Sequence, residues 1–242
     1  MTAISAPQPL SYVSDQPFFV RLAQAITLFT LVSFAQIAAR GLTDPLTAPI
    51  WVHIHALLMV GWLGLFVAQN QLAVSNLQLH KRLGIAGAIL AVAIVAMAGF
   101  LAVKTIEVHR LGPSFSGSYF LASIAGQAAL FAALIAAALL LRRRPEYHRR
   151  LMFGATIAVC GGPALGRWVP DSIGGDPRSA WIYLAFDLGV LFLIARHDRA
   201  TRGSIHSATL GAAAVISLGY GLMVAASYNP GVIALADRLA SQ

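Results

Sequence analysis

Two short strings carry the sharpest chemistry in this 242-residue chain: His80-Lys81-Arg82-Leu83 and His148-Arg149-Arg150-Leu151. Imidazole is a common axial ligand of haem iron and a frequent ligand of transition metals. Two histidines at equal depth on facing helices meet the requirement for bis-imidazole ligation of a b-type haem, and the neighbouring arginines are of the right type to pair its propionates. His80 and His148 are therefore candidate haem or metal ligands. The same strings also fit solvated helix starts in positively charged loops, or contacts to anionic lipid headgroups.

His55 joins them as a third candidate ligand. At about 100° per residue, His55, Met59, Trp62, Phe66 and Gln69 lie on one helical stripe while His53 points to nearly the opposite side, so the two histidines do not chelate one metal from a regular helix. His55 reads either as an axial ligand to a flat cofactor on that aromatic stripe or as an interfacial histidine beside Trp51. Gln69 and Asn70 bring polarity to the other half of the same segment. Asp187, in Tyr183-Leu184-Ala185-Phe186-Asp187, is a lone acid in an apolar stretch, where a carboxylate must be protonated, paired or hydrated. Asp187, Gln69 and Asn70 form a candidate ligand or proton pathway; the plainer reading of Asp187 is an acid hydrogen-bonded to another helix. His109, His197 and His206, in or beside loops, add no constellation.

Several chemistries are set aside. The last apolar segment has no lysine for a retinal Schiff base, and no H-E-x-x-H, G-x-S-x-G or P-loop string occurs. The late HxxxH of seven-helix zinc hydrolases is missing as well. A single cysteine, Cys160, supports neither a disulfide framework nor a thiolate cluster within one chain. A lipid-modifying enzyme at the basic rim lacks a recognisable nucleophile or base, so whether the chain is an enzyme stays open.

The elements that must position these residues are membrane helices. With 58% hydrophobic residues, 11% charged residues and a mean hydropathy of +0.73, the chain is too apolar for an ordinary soluble domain. Its net charge of +8 sits in short runs between apolar segments, which excludes nucleic acid as the partner and points to topology signals in a lipid bilayer. Segments of about 20 apolar residues, the length that spans the hydrocarbon, occur seven times. They run from Phe18 to Ala39, Trp51 to Val74, Leu83 to Val103, Tyr119 to Leu141, Leu151 to Val169, Ala180 to Ala195 and His206 to Ser227. The expected architecture is all-α, one seven-helix transmembrane domain over 18–228, with an N-terminal tail over 1–17 and a C-terminal tail over 229–242. The proline-bearing start, with Pro7 and Pro9, lacks a secretory-signal pattern. Small residues such as Gly84, Gly87 and Ala91, or Gly211, Gly219 and Gly221, predict close helix packing. Lysine and arginine divide unevenly between the two faces, with Arg21, Lys81, Arg82, Arg142 to Arg144, Arg149, Arg150, Arg196, Arg199 and Arg202 on the richer one. The positive-inside rule then predicts a cytoplasmic N-terminus, an outer C-terminus and location in a bacterial inner membrane. Because the two histidine strings open the third and fifth segments alike, a duplicated helix pair is one reading of the repeat.

Around these residues the chain resembles a family of uncharacterised bacterial multipass membrane proteins. The likeness rests on His53 and His55 opening a helix, Gln69 or Gln71 near its end, His80-Lys81-Arg82-Leu83-Gly84, and Pro145-Glu146-Tyr147-His148-Arg149-Arg150-Leu151-Met152 followed by Gly166-Arg167-Trp168. That family brings no assigned activity. A more distant likeness is to cytochrome b561 and ferric reductase bundles, in which histidines at both faces hold two haems. It implies an inner pair, His80 with His148, and an outer ligand at His55 whose partner histidine this chain lacks. Two expectations follow: a haem b or metal-binding electron-transfer protein, or a transport, sensing or assembly-accessory bundle with a polar cavity around Asp187 and the second helix. A membrane-protein partner or a homo-oligomer is compatible with either.

Overall fold

The computed structural model describes residues 12–112 and 115–242. It is all-helical, with 84% of residues in helix and no strand among the described residues. The elements are α1 (Gln16–Ala39), α2 (Ile50–Ser75), α3 (Leu77–Glu107), α4 (Gly117–Leu140), α5 (Pro145–Gly166), the one-turn α6 (Asp171–Gly174), α7 (Ala180–Arg202), α8 (Ser207–Ser227) and α9 (Pro230–Ala240). Six of them, α1, α2, α3, α4, α7 with the turn before it, and α8, are long and apolar enough to cross a membrane. The proline-bearing residues of the N-terminal tail, Pro7 and Pro9, lie outside the described residues.

Local chemistry sets the breaks between helices. Asn76 alone separates α2 from α3, and its side chain accepts from Leu79 N at 3.0 Å, starting α3 six residues before the expected Leu83. Ser116 caps α4, and Pro145 at the first position opens α5 ahead of the expected Leu151. Gly203, at φ +78°, ends α7 in the left-handed conformation glycine adopts without strain. The expected C-terminal tail is instead a capped amphipathic helix, α9. Asn229 accepts from Gly231 N at 2.9 Å, and Ala236 and Leu239 pack on Ile106. The hydropathy scan missed it because eleven residues are too few to read as a span.

α5 is the one of the seven long helices without an apolar stretch of membrane-spanning length, and it is the best covered. Apart from Met152 and Val159, every residue from Arg149 to Gly162 is buried, with α1, α4, α7 and α8 packed around it. Its polar residues are tolerated because neighbouring helices, not lipid, surround them. The outer surface of the bundle is the reverse: Ile54, Leu57, Ile85, Ile89 and Val92 on α2 and α3 are all exposed. Inside, Trp62 meets Phe131 edge-on at 4.9 Å, and Phe153 meets Phe66 at 4.8 Å and Phe19 at 5.3 Å. Of the small residues singled out as packing surfaces, Gly219 lies directly under Leu130, and a Cβ on Gly87 would sit 3.1 Å from Leu65, whereas Gly211 and Gly221 have open space beside them.

Candidate functional site: a paired-histidine cleft

His80 sits in the first turn of α3 and turns back onto the helix before it. Its Nδ1 is 3.2 Å from the Gln69 carbonyl, while Gln69 Nε2 donates to the His80 carbonyl at 3.1 Å. His148 repeats the arrangement in the first turn of α5, with Nδ1 2.9 Å from the Ala138 carbonyl of α4. A carbonyl only accepts, so Nδ1 carries the proton and Nε2 is the nitrogen left to bind. Metal-ligating histidines are generally held in this way by a backbone carbonyl. The H-[KR]-R-L strings therefore produce the same local geometry on two successive hairpins, α2–α3 and α4–α5.

The two rings converge, with centroids 6.3 Å apart and planes at 85°. They line one cleft among α2, α3, α4 and α5, together with Trp62, Phe66, Gln69, Asn70, Gly84, Gly87, Arg149 and Met152. The cleft is open at its mouth and amounts to about 80 Å³. Among the described residues, no group of three or more His, Cys, Asp or Glu is placed to hold a metal ion.

Arg149 is the unusual member. It is 4% exposed, and its Nη2 donates to the Tyr12 carbonyl at 3.1 Å and to Gln16 Oε1 at 2.8 Å. Its guanidinium lies 3.4 Å from the centroid of the Tyr12 ring. Nη1 of Arg149 and Oε1 of Gln69 are both buried without a partner. Gln16 also donates to the Asn70 carbonyl, tying α1 to this side of the cleft.

The remaining site candidates separate. Gln69 and Asn70 join the histidine cleft and not Asp187, so the single polar cavity expected around Asp187 and the second helix is two places. Asp187 is fully buried among α5, α7 and α8, where Tyr220 donates to its Oδ2 at 2.9 Å. His55, seven residues before Trp62 on α2, is not among the cleft residues; Arg167 is the charge that acts on it.

Sequence reasoning missed a second polar cluster. Arg150 is fully buried, and its Nε donates to Asp198 at 3.0 and 3.2 Å while its Nη1 donates to the Glu146 carbonyl at 3.1 Å; side-chain ion pairs join it to both acids. Thr209 Oγ1 at 2.7 Å and the His206 backbone N–H at 3.2 Å complete Asp198, and Arg202 pairs with Glu146 at 3.1 Å. His206, the cap of α8, accepts from Ala208 N at 3.1 Å. Burial first, then the positive charges of Arg150 and Arg202, holds its imidazole below the ordinary histidine value. His197, given no role from sequence, pairs with buried Asp15 at 3.0 Å and stacks on Phe18. The available signal was an acid, Asp198, inside a run otherwise read as positive topology charge. No known protein family, curated protein or solved structure matches the chain.

Proposed function

We propose that this chain is a seven-span inner-membrane protein that binds one b-type haem between His80 and His148, at the cytoplasmic end of the bundle, for electron transfer. The seventh span is α5, whose polarity is matched by its burial. The positive-inside rule supports the orientation: the arginine-rich turn 142–144 and the segment 196–202 share the histidine end.

The observation that carries the reading is the convergence of two imidazoles, each anchored through Nδ1 on a backbone carbonyl. His80 and His148, with ring centroids 6.3 Å apart, would be the residues to hold the iron. The cleft itself amounts to about 80 Å³, well below the roughly 300–1,000 Å³ of cofactor sites, so haem entry requires its lining side chains to move apart. Gly84 and Gly87 keep one wall low, Trp62 and Phe66 offer aromatic faces, and the unpartnered Nη1 of Arg149 suits a propionate. Bound there, the haem would supply one-electron redox chemistry. The chain's own part is to fix the two rings, exclude water with apolar side chains and hold a compensating positive charge.

An absorption spectrum of the protein purified in detergent tests this: a Soret band is expected that His80→Ala and His148→Ala each remove. A folded preparation that stays colourless after expression with excess haem would overturn the reading. One observation favours the sensing or transport alternative, namely that Arg149 and Gln69 leave one donor and one acceptor unmet in the same cleft. In that case a small anion, not haem, would stabilise the protein against heat.

A further inference from the structure

A second polar centre lies deep in the bundle, outside the cleft. Gly161 and Gly162 of α5 follow Arg149 by about 18 Å along the helix at a rise of 1.5 Å per residue. Each glycine accommodates one partner of the Asp187–Tyr220 hydrogen bond: a Cβ on Gly161 would overlap Asp187 Oδ1, and one on Gly162 would lie 3.0 Å from the Tyr220 hydroxyl and 3.5 Å from Gln127 Nε2. Tyr220 satisfies Oδ2 only, and Oδ1 is buried with no partner. A fully buried acid with one oxygen unmet costs stability and asks for a role.

We propose that Asp187 is a proton-exchange site reached from the face opposite the histidine cleft. Polar groups run from it in that direction. Tyr220 shares the space at Gly162 with Tyr183, whose Cβ is 3.6 Å from the same point and which stands one turn along α7 from Asp187. The Tyr183 hydroxyl would lie 2.9 Å from a Cβ on Gly174, in the loop that closes that face. Ser179 donates to the Gly174 carbonyl at 3.0 Å and meets the Tyr119 hydroxyl at 3.2 Å, so buried hydrogen-bonding groups continue to the base of the segment in which Ser172 and Arg178 are exposed.

The titratable groups that face Asp187 are few. α8 contributes Tyr220, α5 contributes Cys160 and α7 contributes Tyr183, while Tyr119 of α4 acts on it through Tyr220. From 151 to 166 α5 holds no charged residue, and α1 has only Arg21, near its start. The proton therefore moves between the Asp187 carboxyl and water at the loop face, with no counter-ion beside it. No covalent or redox step is involved.

Difference infrared spectroscopy on the full chain in sealed vesicles tests the proposal through the carboxyl C=O stretch. A band is expected that responds to a pH step, and shifts on transfer to heavy water, when either is applied at the loop face. It is lost in Asp187→Asn. Should that variant fail to fold, Tyr220→Phe keeps the acid and moves the band's frequency, because the carboxyl loses its donor. A band indifferent to pH and to heavy water on both faces makes Asp187 a static hydrogen-bond partner and overturns the proposal. A response from the histidine face alone overturns the route.

Discussion

Arg149 and Arg150 are neighbours on α5, equally buried, and the structure treats them in opposite ways. Arg150 is saturated by carboxylates: Asp198 from α7 and Glu146 one turn back, with Thr209 and the His206 N–H finishing the acid. Among the described residues no carboxylate forms an ion pair with Arg149; a carbonyl, an amide and two aromatic faces hold it, and its Nη1 has no partner there. A charge whose donors are all met ties helices together. A charge left partly unmet beside the paired-histidine cleft is the feature on which the proposed ligand site rests.

The largest effect is expected from Arg150→Ala. Removing one partner leaves Asp198 buried and uncompensated, at a cost of about 3–5 kcal/mol. Thermal unfolding in detergent checks this, and an unchanged midpoint would erase the contrast between the two arginines. His148→Ala comes next. It should abolish haem absorbance while leaving the unfolding midpoint close to that of the parent, because the ring's one hydrogen bond, to the Ala138 carbonyl, is modest. Parallel loss of colour and of fold would turn the cleft into a second structural cluster.

How much of this was legible in the sequence depends on range. Helix positions follow from local runs of apolar residues, and the spans from Phe18 to Ala39 and from Trp51 to Val74 lie within two residues of α1 and α2. The meeting of His80 and His148 was legible for a related reason, since one string at two helix starts dictates one depth. Asp198 with Arg150, or Asp15 with His197, join residues 48 and 182 positions apart, and no periodicity encodes such pairs. Arg150 looked like a topology charge because its sequence neighbours are basic; only the fold distinguishes it from Arg149.

Arg149→Gln sharpens the comparison from the other side. It keeps length and hydrogen bonding but removes the charge, so haem retention should weaken about 10- to 100-fold with little change in stability. Competition by an apo-haem acceptor reads this directly. The smallest effect belongs to His206. Because its folded value lies below the unfolded value of about 6.5, its contribution to stability is complete above that pH and declines as pH falls through the folded value. His206→Asn keeps a capping side chain and should flatten that part of the stability profile below about pH 6.5.

The polarity of α5 has a consequence for how the chain is made. A helix opening with Arg149 and Arg150 does not partition into lipid alone, since each arginine opposes insertion by up to roughly 3 kcal/mol. α4 emerges from the ribosome just before it and packs along it through the short 141–144 turn, so the two enter as a hairpin. Asp198 is synthesised 48 residues after Arg150, and in that interval Glu146 is the acid available on the same helix. On the proposed seven-span reading, α5 would enter the bilayer before its principal counter-charge, Asp198, has been made, with Glu146 as its acid partner until α7 follows.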